Sequence, residues 1–196
     1  MSSEGVSEAS PDLPVERIQY EDVVRQADNP SSYLTSQRKR ALDIVFALVG
    51  LMITLVLLVP VSLIMVLTSG FPVFYRRDRL GLYGRKFVMV KFTTMKTGSA
   101  SDTNDLRTAI NDPRISMIGR IIRKTYVDEL PQFWNVLMGE MSVVGPRPEF
   151  PELAIELNQI RRQFPKRLLA KPGVTGLAQV RYTYSHDNAH AVGRLP

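Results

Sequence analysis

The chain has 196 residues, 44% of them hydrophobic, and no cysteine, which bounds it to one domain with a sizeable core and excludes a disulfide framework, a cysteine-ligated zinc and a cysteine nucleophile. Its net charge of +6 conceals a division: residues 1–37 hold two basic residues against seven acidic ones, while the remainder carries 23 basic against 12 acidic. A basic body takes an anionic partner, and nucleic acid, an anionic membrane surface and phosphorylated substrates all share that sign.

Residues 1–37 are rich in Ser, Glu, Asp and Pro without a sustained apolar period, and are predicted to be a disordered acidic tail. Their polar start lacks the basic flank and apolar core of a secretory signal. At Arg38-Lys39-Arg40 the composition changes abruptly, and Ile44 to Leu67 is a run of 24 residues without a charge. At about 1.5 Å per residue it reaches roughly 36 Å, enough to cross a hydrocarbon core of about 30 Å. This segment, 38–70, belongs in a membrane. Basic residues flank both ends, Arg38 to Arg40 before and Arg76, Arg77 and Arg79 after; because cytoplasmic flanks carry the Lys/Arg excess, both ends read as lying on one face. Pro60 removes a backbone donor and offers a membrane break, the bend of a re-entrant hairpin. A lipid-exposed break would leave backbone groups unsatisfied, which speaks for a simple span. On these residues alone both topologies stay open.

Past Gly70 the pattern turns to short strands, Pro72 to Tyr75 and Phe87 to Phe92, linked by Arg76 to Gly84 with the glycines of a turn, so a hairpin is predicted. Thr97 to Asp105 reads as a mobile loop. Arg114 to Lys124 then puts Ile115, Ile118 and Ile122 on one face with basic residues elsewhere. Such a helix packs on a soluble core or lies in a membrane interface, apolar face down.

Asp128 and Glu129 precede Leu130-Pro131, with Pro131 suited to the first turn of a helix that carries Phe133, Trp134, Leu137 and Met138 inward. Acids at a helix start are commonly capping groups that complement the macrodipole. Two neighbours raise a functional reading. Arg123 and Lys124 lie upstream and offer an ion-pair network, and Gly145-Pro146-Arg147-Pro148 uses two prolines to restrict a loop presenting Arg147, a residue type that binds phosphate bidentately.

The order of Lys39-Arg40-Ala-Leu-Asp43, the apolar run with its proline, Pro72-Val-Phe-Tyr75, Arg79-Leu-Gly81, Phe87-Val-Met-Val-Lys91-Phe-Thr-Thr-Met95, Asp128-Glu-Leu-Pro-Gln-Phe-Trp-Asn-Val-Leu137, Met141-Ser-Val-Val-Gly-Pro-Arg-Pro148 and Lys171-Pro-Gly-Val-Thr-Gly176 resembles the bacterial sugar transferase family. These are the monotopic polyprenyl-phosphate phosphoglycosyl transferases, and the match covers roughly residues 38–182. The resemblance implies transfer of a sugar 1-phosphate from a UDP-sugar to undecaprenyl phosphate, leaving UMP, at the start of exopolysaccharide or other glycoconjugate synthesis. It maps the nucleophile onto Asp128, which would form a phosphosugar–aspartyl intermediate and take part in binding Mg²⁺. Glu129 takes base or metal-supporting work, and Lys91, Arg123 and Arg147 clamp phosphate. Two anionic substrates must approach an anionic carboxylate, so Mg²⁺ and basic side chains are needed to neutralise charge at the transferring phosphoryl group. The resemblance also implies a re-entrant helix with Pro60 carrying the bend, and a catalytic domain, 71–196, on the cytoplasmic face of the bacterial inner membrane.

The chain departs from the family pattern in three places. Val59-Pro60 replaces a Ser-Pro, Arg77-Asp78 replaces an Arg-Gln, and Leu177 stands where an aromatic residue is usual. It also stops at Pro196, about where relatives continue, so a C-terminally truncated domain is expected. His186 and His190 are spaced for a metal on a helix, but their polar surroundings read as solvated. The predicted fold is an α/β (α+β) membrane-associated domain with a re-entrant helix, a small hairpin sheet and interfacial amphipathic helices. Its expected partners are the UDP-sugar, undecaprenyl phosphate and membrane lipid, with no nucleic acid and with homo-oligomerisation left open. The competing class is an inactive, membrane-anchored relative acting as a binding scaffold.

Overall fold

The computed structural model describes residues 36–95, 112–160 and 164–181; all of the predicted acidic tail but its last two residues, the predicted loop Thr97 to Asp105 and both histidines lie outside them. Helix α1 spans Gln37–Ser69. Ser36 caps it by accepting from the Arg38 N–H at 3.2 Å, and Gly70, at φ 82°, ends it with its N–H on the Met65 and Val66 carbonyls. At 33 residues the helix is about 50 Å long. It stays helical through Pro60, so no hairpin turn interrupts it there.

The buried residues of α1 are Asp43, Ala47, Gly50, Thr54, Val61, Met65 and Ser69, a stripe at helical spacing along one side. The other side is apolar and exposed, from Val45 and Phe46 through Met52 and Val56 to Leu67. Small and polar residues thus mark the first half of the protein-facing side, joined further along by Val61 and Met65, while Val45, Met52, Val56 and Leu67 point away.

Strands β1 (Phe74–Leu80) and β2 (Lys86–Phe92) form the predicted antiparallel hairpin, with Tyr75 opposite Lys91 and Arg79 opposite Phe87. The pairing extends through Arg76 to Leu80, which the sequence places in the link. Charged side chains on the exposed part of β1 conceal that extension, because they break the apolar alternation by which strands are recognised. On the free edge of β2, the buried Asn135 amide substitutes for a third strand: its Oδ1 accepts from the Val90 N–H at 3.2 Å and its Nδ2 donates to the Val88 carbonyl at 2.8 Å.

Helix α2 (Met117–Lys124) begins at Ser116, whose hydroxyl accepts from the Gly119 N–H at 2.9 Å. Ile115 and Ile122 are buried as predicted, but Ile118 faces out with Met117 and Ile121. A 3-10 turn, Val127–Glu129, leads to α3 (Gln132–Met138). Here the predicted inward face is half wrong. Phe133 and Leu137 pack on the core beside buried Val136, while Trp134 and Met138 are 51% and 53% exposed.

The remaining elements are β3 (Ser142–Val144), α4 (Pro151–Ile160), a 3-10 segment Phe164–Leu169, β4 (Gly173–Thr175) and α5 (Leu177–Arg181). β3 and β4 pair in parallel. One core cluster joins Ala47 of α1 to Phe87, Met89, Val136 and Met141; a second joins Val61 and Met65 to Phe92 and Ile122. The apolar helix is therefore part of the domain's core along most of its length.

The N-terminal end of α1 is fastened by polar contacts. Asp43 Oδ1 accepts from the Ser142 hydroxyl and the Val143 N–H, both at 3.0 Å. Lys39 pairs with Asp43 at 3.1 Å and also donates to Ser142 Oγ. Arg40 donates to the Val136 and Leu137 carbonyls at 2.7 and 2.8 Å in the last turn of α3, where a cation is favoured by the helix dipole.

Candidate active site

Asp128 and Glu129 sit in the 3-10 turn ahead of α3 rather than in its first turn, so they are not the cap that a bare acid pair suggests. Tyr126, at φ 57°, turns the chain out of α2, and the Glu129 N–H closes the turn on the Tyr126 carbonyl at 3.1 Å. Both carboxyls are folded inward, with Asp128 4% and Glu129 5% exposed.

Cations from three elements converge on this pair. Lys91 comes from β2, Arg123 from the last turn of α2, and Arg147 from the loop after β3. Arg147 Nη2 lies 3.1 Å from Glu129 Oε1, while Arg123 Nε donates to Thr94 Oγ1 at 2.7 Å, which fixes its guanidinium beside the end of β2. Lys91, Arg123 and Arg147 all act electrostatically on Asp128. The five polar residues singled out from sequence thus form one site, and Pro60 lies apart from it in α1.

Burial dominates the protonation of both central groups. It pushes the Asp128 carboxyl up to about 6, Lys91 pulls it back, and the like charge of Glu129 raises it further. Burial also pushes the Lys91 ammonium down to about 8; Asp128 opposes this, and Arg147, Arg123 and Arg79 reinforce it. Among the described residues no hydrogen bond to the Asp128 carboxylate is seen, and a desolvated carboxylate of that kind keeps its lone pairs for an incoming atom. Beside Glu129 a groove of about 340 Å³ opens, walled by Leu130, Phe133, Val174 and Val180. It reaches Glu129 from outside, while Asp128 is not part of its wall.

No group of three or more His, Asp or Glu side chains suited to a metal is present among the described residues. The donor set still fits Mg²⁺, which is held by one or two carboxylates together with waters and substrate phosphates rather than by an all-protein cage. Asp128 and Glu129 supply two adjacent carboxylates of that kind.

The Pro146-Arg147-Pro148 loop and the Lys171 to Gly176 segment, far apart in sequence, are packed backbone on backbone. Gly145 N–H donates to the Thr175 carbonyl and Gly173 N–H to that of Pro146, each at 2.9 Å. A Cβ on Gly145 or Gly173 would overlap the opposing main chain, which explains the glycines in both motifs. Sequence reasoning missed Arg167, whose Nη2 donates to the Arg147 carbonyl at 2.8 Å. It also read Lys39 and Arg40 only as a charged membrane flank. The Lys39–Asp43 spacing of four was an available signal for an intrahelical pair; no local pattern announces the partners of Arg40 or Arg167.

Residues 34–194 match the bacterial sugar transferase family. The chain is 39% identical to the UDP-glucose:undecaprenyl-phosphate glucose-1-phosphate transferase of Escherichia coli K12, over 81% of this chain and 34% of that protein. It is 41% identical to the UDP-galactose-lipid carrier transferase of Erwinia amylovora, over 76% of this chain and 34% of that protein. The exopolysaccharide production protein PSS of Rhizobium leguminosarum bv. phaseoli is 39% identical over 73% of each chain. The chain thus spans about a third of the length of the first two relatives and most of the third. With a matched region that takes in the dyad, its three cations and the apolar helix, the chain belongs to the bacterial sugar transferase family.

Proposed function

We propose that the protein transfers a sugar 1-phosphate from a UDP-sugar to undecaprenyl phosphate, with Asp128 as the nucleophile. The observation that carries this is the buried Asp128 carboxyl ringed by Lys91, Arg123 and Arg147, an arrangement suited to an anionic nucleophile meeting an anionic phosphoryl group. The printed activities of the Escherichia coli and Erwinia relatives support the substrate class.

In the first step an Asp128 carboxylate oxygen attacks the phosphorus bearing the sugar. The bond from that phosphorus to the bridging oxygen breaks, and UMP leaves with the electron pair. In the second step a phosphate oxygen of undecaprenyl phosphate attacks the same phosphorus, and the bond to Asp128 breaks, restoring the carboxylate. Lys91, Arg123 and Arg147 lower the repulsion between the reacting anions, and Glu129, paired with Arg147, orients that guanidinium. Mg²⁺, held by Asp128 and Glu129, would supply further charge neutralisation at the phosphates.

We further propose that both ends of α1 lie on the cytoplasmic face of the inner membrane, with the unbroken helix lying in the interface rather than turning back at Pro60. The protein-facing stripe runs from Asp43 on Ser142 to Met65 beside Phe92, a rise of about 33 Å. A helix crossing the bilayer upright would carry that packed domain, with its buried acids and arginines, into hydrocarbon, where each charge is costly. With the stripe against the domain, the opposite apolar face and the outward Met117 and Ile121 of α2 are free to enter lipid.

The test uses membrane-embedded protein, Mg²⁺, undecaprenyl phosphate and a panel of UDP-sugars, with UMP release as the readout. Release is expected with at least one sugar, and Asp128→Asn should abolish it while leaving the protein in the membrane fraction. Release that survives the substitution would sink the nucleophile assignment; none from the native protein would favour a binding-only role.

A further inference from the structure

The loop that presents Arg147 is held at four successive carbonyls. Pro146 O accepts from the Gly173 N–H at 2.9 Å, Arg147 O from Arg167 Nη2 at 2.8 Å, Pro148 O from Arg79 Nη1 at 3.4 Å, and Glu149 O from the Leu80 N–H at 3.0 Å. Two of these residues are prolines and have no N–H to anchor them in return. The loop's place therefore depends on what reaches its carbonyls.

Two of the four donors are side chains, and they are unequal. Arg79 makes a long contact and stacks on Phe150, 3.2 Å from the ring centroid. Arg167 makes a short one, and its Nη1 lies 3.5 Å from the Glu149 carboxylate, so a single planar fork spans two residues of the loop. The ring of Phe164, 4.9 Å away, backs the guanidinium from its own segment. The Arg147 side chain is 39% exposed, and its reach to Glu129 depends in part on where its backbone stands.

We propose that Arg167 is a positioning residue for the Arg147–Glu129 pair: by gripping the Arg147 carbonyl and the Glu149 carboxylate together, it sets the distance of the Arg147 guanidinium from the Asp128 site. Arg167 acts on the reaction only through Arg147. The kinetic consequence rests on the transferase activity proposed above; the mechanical one does not.

Two measurements on the full-length, membrane-embedded protein test this. Hydrogen exchange followed in peptides covering residues 142–150 should speed up about 10-fold in Arg167→Gln, the loss of a charge-assisted hydrogen bond, and stay unchanged in Arg147→Ala. In the UMP-release assay, Arg167→Gln should lower kcat/KM roughly 10- to 100-fold, the scale of a misplacement of about 1 Å. Arg167→Lys, with the charge but no fork, should fall between. Arg147→Ala combined with Arg167→Gln should be no slower than Arg147→Ala alone, because a positioning residue has nothing left to position. Unchanged exchange in Arg167→Gln, or losses that multiply in the double variant, would overturn the proposal. Should Arg167→Gln fail to fold, Glu149→Gln releases one arm of the fork and should show the same two effects at smaller size; neither appearing would be equally fatal. A native protein that releases no UMP would end the transferase reading, and the exchange measurement would still decide whether Arg167 holds the loop.

Discussion

The burial that suits Asp128 to its proposed role as nucleophile also makes it a liability. Its carboxyl rises from 3.8 to about 6, chiefly through desolvation, so between those values the folded state binds more protons than the unfolded chain. Stability therefore falls as pH rises through that window and stays at the lower level above it. Asp128→Asn keeps the shape and removes the buried charge; it should raise stability at pH 7 by ~1–3 kcal/mol even as it abolishes turnover, measured as thermal unfolding in detergent. An unchanged or lower midpoint would show that burial is not what perturbs this group. On the proposed mechanism the reaction uses Asp128 ionised and Lys91 charged, so kcat/KM should climb through a pH of about 6 and decline through about 8, the values to which burial pushes the two groups. Lys91→Arg, whose guanidinium stays charged, should abolish the alkaline decline in UMP release and leave the acid limb in place. The arginine between prolines is legible in sequence by itself, whereas the acid pair, which could equally cap a helix, and Lys91 are legible only through the family's motifs. Arg167 is not legible, since an arginine in a basic chain means nothing until its carbonyl partner, 20 residues away, is brought beside it.

At the scale of elements, hydrophobic periodicity finds the helices but not their direction. In this domain apolar residues face both inward and outward, so Trp134 and Met138 share a helix with the core residues Phe133 and Leu137 and cannot be told from them by pattern. The informative residues of α1 are instead its exceptions, Asp43, Gly50 and Thr54, which are small or polar amid aliphatics. Gly50 lets α1 and α3 approach until its backbone lies on the Phe133 ring, which a Cβ would overlap. Gly50→Leu should therefore force the helices apart and cost about 1–3 kcal/mol, as overpacking does. Val49→Leu, one position along on the exposed side, should be neutral. Thermal unfolding of the two variants in the same detergent separates them; equal midpoints would mean that the glycine is incidental to the packing.

At the scale of the molecule, the basic residues before α1 carry two meanings that sequence cannot separate. Lys39 and Arg40 satisfy the topology rule for a cytoplasmic flank, yet both are engaged with the domain, on Asp43 and Ser142 and on the end of α3. Fastening the start of α1 to the elements that build the site leaves the helix little freedom to leave them. Its protein-facing stripe then keeps contact as far as Met65, a length close to the full hydrocarbon thickness. The packing favours the proposed topology over a spanning helix, and on that proposal the residues on either side of α1 should report the same compartment. The chain has no cysteine, which makes single-site labelling unambiguous. In sealed, oriented vesicles, Ser32→Cys and Lys86→Cys should both react with a membrane-impermeant maleimide only when the cytoplasmic face is outside. Labelling of the two from opposite faces would require α1 to cross the bilayer, and the domain would then have to separate from the helix that completes its core.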